Sequence, residues 1–218
     1  MAKIAPSVLG ADFSRLGDEI TSAVKSGVEL FHLDIMDGHF VPNISFGPAV
    51  VKTIDRLTDA FLDVHLMLSE PEKYFEPFVW AGADSISFHI QVHPQPVPFA
   101  DQIKKLGAKA AITINPDVSF SKVRPYLEHF DNLLIMSVFP GFGGQSFIES
   151  VLPKITEARE FIDKNKLATT ISVDGGVDAG NASRVVSAGA DILVMGTAFF
   201  GSSDRAELVR LVNGLNRK

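Results

Sequence analysis

The 218-residue sequence predicts an α/β fold, an eight-stranded (β/α)8 TIM barrel. Three observations carry that expectation. Apolar runs such as 110–114 (AAITI) and 133–136 (LLIM) are continuous rather than alternating, as in strands buried on both faces of a parallel sheet. Helix-compatible stretches separate the runs. A short unit then recurs between helix and strand: Ser26-Gly27-Val28, Ala81-Gly82-Ala83-Asp84, Leu106-Gly107-Ala108 and Ala188-Gly189-Ala190-Asp191. Glycine just past a helix takes the left-handed conformation at low steric cost, so each copy marks a helix end and the start of a strand.

Taken in order, strands are expected at 3–9, 30–34, 61–67, 85–89, 109–114, 132–136, 170–173 and 192–195. The first is the opening apolar segment, and the second, fourth, fifth and eighth each follow a copy of the glycine unit. The third, sixth and seventh are apolar runs at matching intervals. Helices are expected between them, for example at 18–25, 72–80, 98–106 and 151–165. Eight such pairs in this length suit one compact barrel over 1–218. A doubly wound open sheet uses the same units, but no Gly-x-Gly-x-x-Gly follows the first strand, where a dinucleotide fold would place it.

Composition narrows the function. With 46% hydrophobic and 21% charged residues the chain has enough apolar surface to order itself. The net charge of −6 argues against a nucleic-acid partner, which needs a basic footprint. The absence of cysteine excludes disulfides, thiolate metal sites and cysteine nucleophiles. Residues 1–10 hold one lysine and no long apolar core, and no apolar run reaches the length of a membrane span. The expected setting is the cytoplasm, with no membrane partner.

Ionisable residues gather at the C-terminal ends of the apolar strands, the end of a barrel where chemistry occurs. The second strand ends in His32-Leu33-Asp34, the third contains Asp63-Val64-His65, the fourth ends at His89 and the seventh leads to Asp174. His32 and Asp34 are two apart on a strand and share a face. Each alone is more readily a hydrogen-bonded structural group. Together, two imidazoles and two carboxylates (His32, Asp34, His65, Asp174) on one mouth are better explained by a divalent cation than by a structural network, because unpaired charge in a barrel interior is costly. Mixed nitrogen and oxygen ligands suit zinc, iron(II), manganese or cobalt. His89 is placed outside that set.

Three glycine-bearing turns follow the last three strands: Pro140-Gly141-Phe142-Gly143-Gly144-Gln145, Asp174-Gly175-Gly176-Val177 and Met195-Gly196-Thr197-Ala198. Backbone N–H groups in such turns can approach a phosphate closely, and the ends of strands seven and eight are the customary place for one in this barrel. Met36, Met67 and Met136 lie at strand ends, either as gap-filling core or as an apolar surface over a reacting intermediate. Ser7 offers a hydroxyl to substrate or to backbone. Segment 37–47, rich in Gly, Pro and Asn, is long enough to fold over the mouth.

These residues carry a resemblance. Lys3-Ile4-Ala5-Pro6-Ser7, the block from His32 to Asn43 (HLDIMDGHFVPN), Asp63-Val64-His65-Leu66-Met67, the Pro140 turn and Val173-Asp174-Gly175-Gly176 resemble the ribulose-phosphate 3-epimerase family, in order and over nearly the whole chain. The resemblance implies a barrel of the ribulose-phosphate-binding type. It also implies interconversion of D-ribulose 5-phosphate and D-xylulose 5-phosphate in the pentose phosphate pathway. By the same resemblance His32, Asp34, His65 and Asp174 fall on the ligands of one divalent metal ion, with zinc favoured. Asp34 and Asp174 fall on the two proton-transfer acids. Ser7 and His65 fall on substrate contacts, and Gly141, Phe142, Gly143, Gly144, Gly175, Gly176, Gly196 and Thr197 on the phosphate region; Met36, Met67 and Met136 join the substrate contacts by their position alone. A homo-oligomer is expected.

Two departures from the family pattern stand out. Gln91 and the proline-broken run His93-Pro94-Gln95-Pro96-Val97-Pro98 replace an acidic residue and a histidine-containing stretch, and Ser137-Val138-Phe139 replaces a commoner Thr-Val followed by a polar residue. A related epimerase of D-allulose 6-phosphate shares the metal motif, so the sugar's length is open. Epimerisation needs a proton removed from one face of carbon and returned to the other. Asp34 and Asp174, about 135° apart around an ideal eight-strand ring, suit that division. A metal-dependent hydrolase or aldolase could use the same ligands but needs a positioned water or a carbon–carbon cleavage geometry; a non-catalytic sugar-phosphate sensor has no use for two opposed carboxylates on a metal.

Overall fold

The computed structural model describes residues 1–217. All eight expected strands form: β1 (Lys3–Pro6), β2 (Leu30–Met36), β3 (Phe61–Met67), β4 (Ser85–His89), β5 (Lys109–Ile114), β6 (Asn132–Met136), β7 (Thr170–Asp174) and β8 (Ile192–Met195). They make one parallel sheet in the order β1-β8-β7-β6-β5-β4-β3-β2. Its two end strands meet through a single parallel bridge between Ser7 and His32, so the sheet curls into a nearly closed barrel. The helices are α1 (Leu16–Lys25), α2 (Pro48–Asp55), α3 (Phe75–Trp80), α4 (Val97–Lys105), α5 (Leu152–Asn165), α6 (Ala182–Ala188), α7 (Thr197–Phe200) and α8 (Arg205–Asn213). None among the described residues is long and apolar enough to cross a membrane.

Strand alternation builds two interiors. Phe31, Leu33 and Ile35 of β2 point outward into the main core beneath the helices, with Leu66, Ile86, Ile112 and Leu193 from other strands. The helices meet that core along apolar stripes, for example Ile155, Ala158 and Ile162 of α5. The alternate residues enter the barrel. Its floor is a small apolar plug of Ala5, Leu30 and Val194, above which β2 and β3 present His32, Asp34, Asp63 and His65.

The recurring glycine unit behaves as expected, Gly27, Gly82, Gly107 and Gly189 having φ between 95° and 125°. The aspartates just before β4, β6 and β8, two of them within the unit, do more. Asp84 accepts the N–H of Leu62, Asp131 that of Ala110, and Asp191 that of Ile171, each at 2.8–3.0 Å. Each carboxylate thus ties the approach to one strand to the start of its neighbour, satisfying an amide whose orphaning costs about 1–3 kcal/mol.

The structure corrects several boundaries. β1 stops at Pro6, and Val8–Gly10 forms a 3-10 turn, because the chain there presses on β8: a Cβ on Gly10 would lie 2.6 Å from the Gly196 carbonyl carbon. β2 continues to Met36, held by pairing with β3 through Met36–Met67. The helix expected at 72–80 splits into a 3-10 turn, Pro71–Lys73, and α3. Pro77 falls in the first turn of α3, where a missing N–H removes no helical bond. Between β5 and β6 the connection is 3-10 helix, Phe120–Lys122 and Arg124–His129, rather than α-helix.

Candidate active site

The mouth of the barrel gathers the four expected ligating residues. The β2–β3 register sets Asp34 beside His65, and β7 ends at Asp174. One donor atom from each of His32, Asp34, His65 and Asp174 lies within 4.8 Å of the others. His32 Nε2 is 3.4 Å from Asp34 Oδ1 and 3.9 Å from Asp174 Oδ2, and His65 Nδ1 is 3.2 Å from Asp34 Oδ1. This cluster can hold a metal ion.

The donor chemistry fits one. Asp63, also facing into the barrel from β3, accepts from His32 Nδ1 at 2.9 Å. That bond places the proton on Nδ1 and leaves Nε2 to present its lone pair, buried and without a hydrogen-bond partner, toward two carboxylates. Only positive charge reconciles those groups. Without a cation the ring itself supplies that charge: burial opposes protonation of His32, yet Asp34 and Asp63 outweigh it and hold its pKa well above the ordinary value.

The two site carboxylates differ in ionisation. Burial pushes Asp34 upward, but the nearby His32 charge and a hydrogen bond with His65 Nδ1 hold it well below the carboxylate range. Ser7 Oγ adds a hydrogen bond to Asp34 Oδ2 at 2.6 Å. Asp174 is pushed up to about 7, first by burial and then by the Asp34 charge. One acid is therefore charged and its neighbour protonated near neutral pH, the division that acid–base work requires.

A cavity of about 690 Å³ opens above the cluster. Asp34 and Asp174 reach it, as do Ser7, Met36, Met67 and Met136. The expected turn residues line it too: Gly141, Phe142, Gly143, Gly144, Gly175, Gly176, Gly196 and Thr197. His32 and His65 do not; both are fully buried below its floor. No lysine or arginine lines the cavity among the described residues. Instead the backbone N–H groups of Gly143, Gly144, Gly176, Gly196 and Thr197 make no hydrogen bond within the described residues, leaving a set of donors on one wall. Gly176 has φ 65°, and a Cβ there would lie 2.4 Å from the Phe147 nitrogen, so the turn after β7 demands glycine.

Segment 37–47 reaches over the mouth as expected. Asp37 braces it by accepting N–H bonds from His39, Phe40 and Ser69, and Asn43 Nδ2 donates to the Gly141 carbonyl at 2.7 Å. The unusual 91–98 run sits elsewhere: no residue of it lines the cavity, and His93 packs on Phe99. Ser137 Oγ donates to the carbonyls of Asp174 and Gly175, fixing the turn from beneath. Sequence reasoning assigned no role to Asp63 or Asn43. The signal for Asp63 was present, since it stands two before His65 on the same strand face.

A profile of the family described as "Ribulose-phosphate 3 epimerase family" matches residues 3–200. Among similar curated proteins, the ribulose-phosphate 3-epimerase of Bacillus subtilis is 45% identical over 98% of this chain and 99% of its own. That of Synechocystis is 47% identical over 98% of this chain and 94% of its own. Among solved structures, 3-hexulose-6-phosphate synthase from Salmonella typhimurium superposes with a TM-score of 0.72 at 15% identity, over 96% of both chains, a likeness of fold alone. With a profile match across most of the chain and close relatives over nearly all of it, the protein belongs to the ribulose-phosphate 3 epimerase family and is an epimerase.

Proposed function

We propose that this chain, as one barrel domain, interconverts D-ribulose 5-phosphate and D-xylulose 5-phosphate at C3, within the pentose phosphate pathway. The observation that carries the reading is the pair Asp34 and Asp174, shifted in opposite directions and both reaching one cavity whose lining residues Gly143, Gly144, Gly176, Gly196 and Thr197 have unpartnered backbone N–H groups among the described residues. The phosphate is held by the N–H groups of the turns after β6, β7 and β8, which lets an acidic protein bind an anion without a lysine-rich pocket. Phosphate at that end points the ketose toward Asp34 and Asp174.

His32, Asp34, His65 and Asp174 would hold one divalent metal ion, proposed as zinc ahead of iron(II), manganese or cobalt; when bound it supplies Lewis-acid stabilisation of charge developing on the sugar oxygens. In one direction Asp34, ionised, takes the C3 proton, and the electron pair of that C–H bond forms a planar enediolate. Asp174, protonated, returns a proton to C3 from the opposite face. The reverse reaction exchanges the roles. Met36, Met67 and Met136 give the intermediate an apolar surface that excludes water, and Ser7 orients Asp34.

The protein is proposed to act in the cytoplasm as a homo-oligomer. The test is steady-state turnover of D-ribulose 5-phosphate and D-allulose 6-phosphate by zinc-reconstituted protein. Higher kcat/KM for the pentose supports the assignment. A preference for the hexose would replace the substrate while keeping the chemistry, and binding without turnover of either would leave a sensor.

A further inference from the structure

Among the polar groups inside the barrel, His89 at the end of β4 has no part in the chemistry above. Its ring meets that of His65 edge to edge and close to coplanar, with centroids 5.0 Å apart and planes 28° apart, and their Nε2 atoms lie 2.9 Å from each other. Both side chains are fully buried. Two neutral imidazole nitrogens at that distance share one proton, so one ring donates and the other accepts. If His65 Nδ1 gives its lone pair to a cation, the proton of neutral His65 sits on Nε2 and points at His89. His89 must then accept at Nε2 and carry its own proton on Nδ1. That Nδ1 is buried with no hydrogen-bond partner among the described residues, and so is Oδ1 of Asn115, which with Gln91 is a polar side chain next to His89. A donor on His89 and an acceptor on Asn115 are left over.

We propose that His89 is a positioning residue for His65, fixing the tautomer that turns Nδ1 toward the metal, and that Asn115 in turn fixes the tautomer of His89. The proposal rests on the reading of His32, Asp34, His65 and Asp174 as ligands. It gives the two histidines different supports: a carboxylate, Asp63, for His32, and a neutral ring backed by an amide for His65. Partners of metal-bound histidines set ring orientation and ligand basicity, and their loss typically weakens metal binding roughly 10- to 100-fold.

The experiment is nitrogen NMR of the full chain carrying ¹⁵N-histidine and loaded with zinc, joined to zinc affinities from chelator competition. The expected spectrum has the proton of the His65–His89 pair on His65 Nε2, scalar coupling across the hydrogen bond to His89 Nε2, and a protonated His89 Nδ1. A proton on His89 Nε2, or no coupling with zinc bound, would overturn the proposal. His89→Phe should lose roughly 10- to 100-fold in zinc affinity, and His89→Gln, whose amide oxygen can accept from His65, should recover most of it. Unchanged affinity in His89→Phe, or no recovery in His89→Gln, would also overturn it. If His89→Phe does not fold, the wild-type spectrum decides alone. Wild-type protein that takes up no zinc, or a His32→Ala variant that binds zinc as tightly as wild type, would instead overturn the ligand reading itself.

Discussion

Replacing Asp174 by Asn tests the division of labour between the two carboxylates. The substitution keeps the shape of the side chain and its place at the end of β7, but it removes an acid held at about 7 by burial and by the Asp34 charge. An amide can neither accept nor deliver the C3 proton. Loss of one positioned acid–base group costs typically 10² to 10⁴ in rate, or about 2.7–5.4 kcal/mol at 1.36 kcal/mol per decade. The phosphate cradle lies on Gly143, Gly144, Gly176, Gly196 and Thr197, whose N–H groups the change leaves alone. Affinity for the sugar phosphate should therefore fall by less than about tenfold, far less than kcat. Removing a carboxylate ligand also weakens the metal centre, so the assay must hold zinc occupancy constant. Rates would be measured at saturating zinc with occupancy checked by elemental analysis. Solvent deuterium exchange into C3 is then followed separately from each epimer. Asp174→Asn should keep exchange with the epimer whose proton faces Asp34 and lose it with the other. Equal loss of exchange from both epimers at full zinc occupancy would refute the two-sided scheme, as would retained epimerisation.

Three further outcomes follow from the same geometry. Asp63→Asn weakens the acceptor that holds His32 Nδ1 at 2.9 Å; zinc affinity should fall about tenfold or more by chelator competition, with little change in affinity for substrate analogues once zinc is saturating. Metal-free wild type should lose stability relative to metal-free Asp174→Asn as pH rises from about 4 to about 7, because the raised pKa of Asp174 lets its folded carboxyl bind more proton than the unfolded one in that window. Gly176→Ala forces a side chain onto φ 65° and into the Phe147 nitrogen; it should cost about 1–2 kcal/mol in denaturant unfolding from the left-handed conformation alone, and raise KM for the sugar phosphate more than it lowers kcat.

Much of this architecture could be read from residue order, and the parts that could not have identifiable causes. Continuous apolar runs and the glycine units located all eight strands, since both follow from local backbone and burial rules. β1 ends earlier than its residues suggest because nothing local forbids an extended Ser7–Leu9; the turn there comes from close approach of Gly10 to Gly196 at the end of the neighbouring strand β8. The end of β2 was drawn too early, since charge at Asp34 reads as a strand end, while pairing with β3 carries the strand on to Met36. The four ligating residues were legible because polar groups at the ends of apolar strands are costly without a purpose. Their supports were not. Asp63 meets His32, and His89 meets His65, only through the registers that join β2, β3 and β4, which strand periodicity does not fix. The glycine turns signalled an anion site, but the unpartnered N–H groups there, and the absence of any lysine or arginine on the cavity wall, both among the described residues, emerge only from the folded arrangement.

The most direct test of the central claim is proton NMR of D-ribulose 5-phosphate with the wild-type protein in D₂O, before and after chelator treatment. The account predicts D-xylulose 5-phosphate carrying deuterium at C3, its formation lost on metal removal and restored by zinc. No exchange at C3 by protein with verified bound zinc would contradict it, and so would epimerised product that retained the original hydrogen.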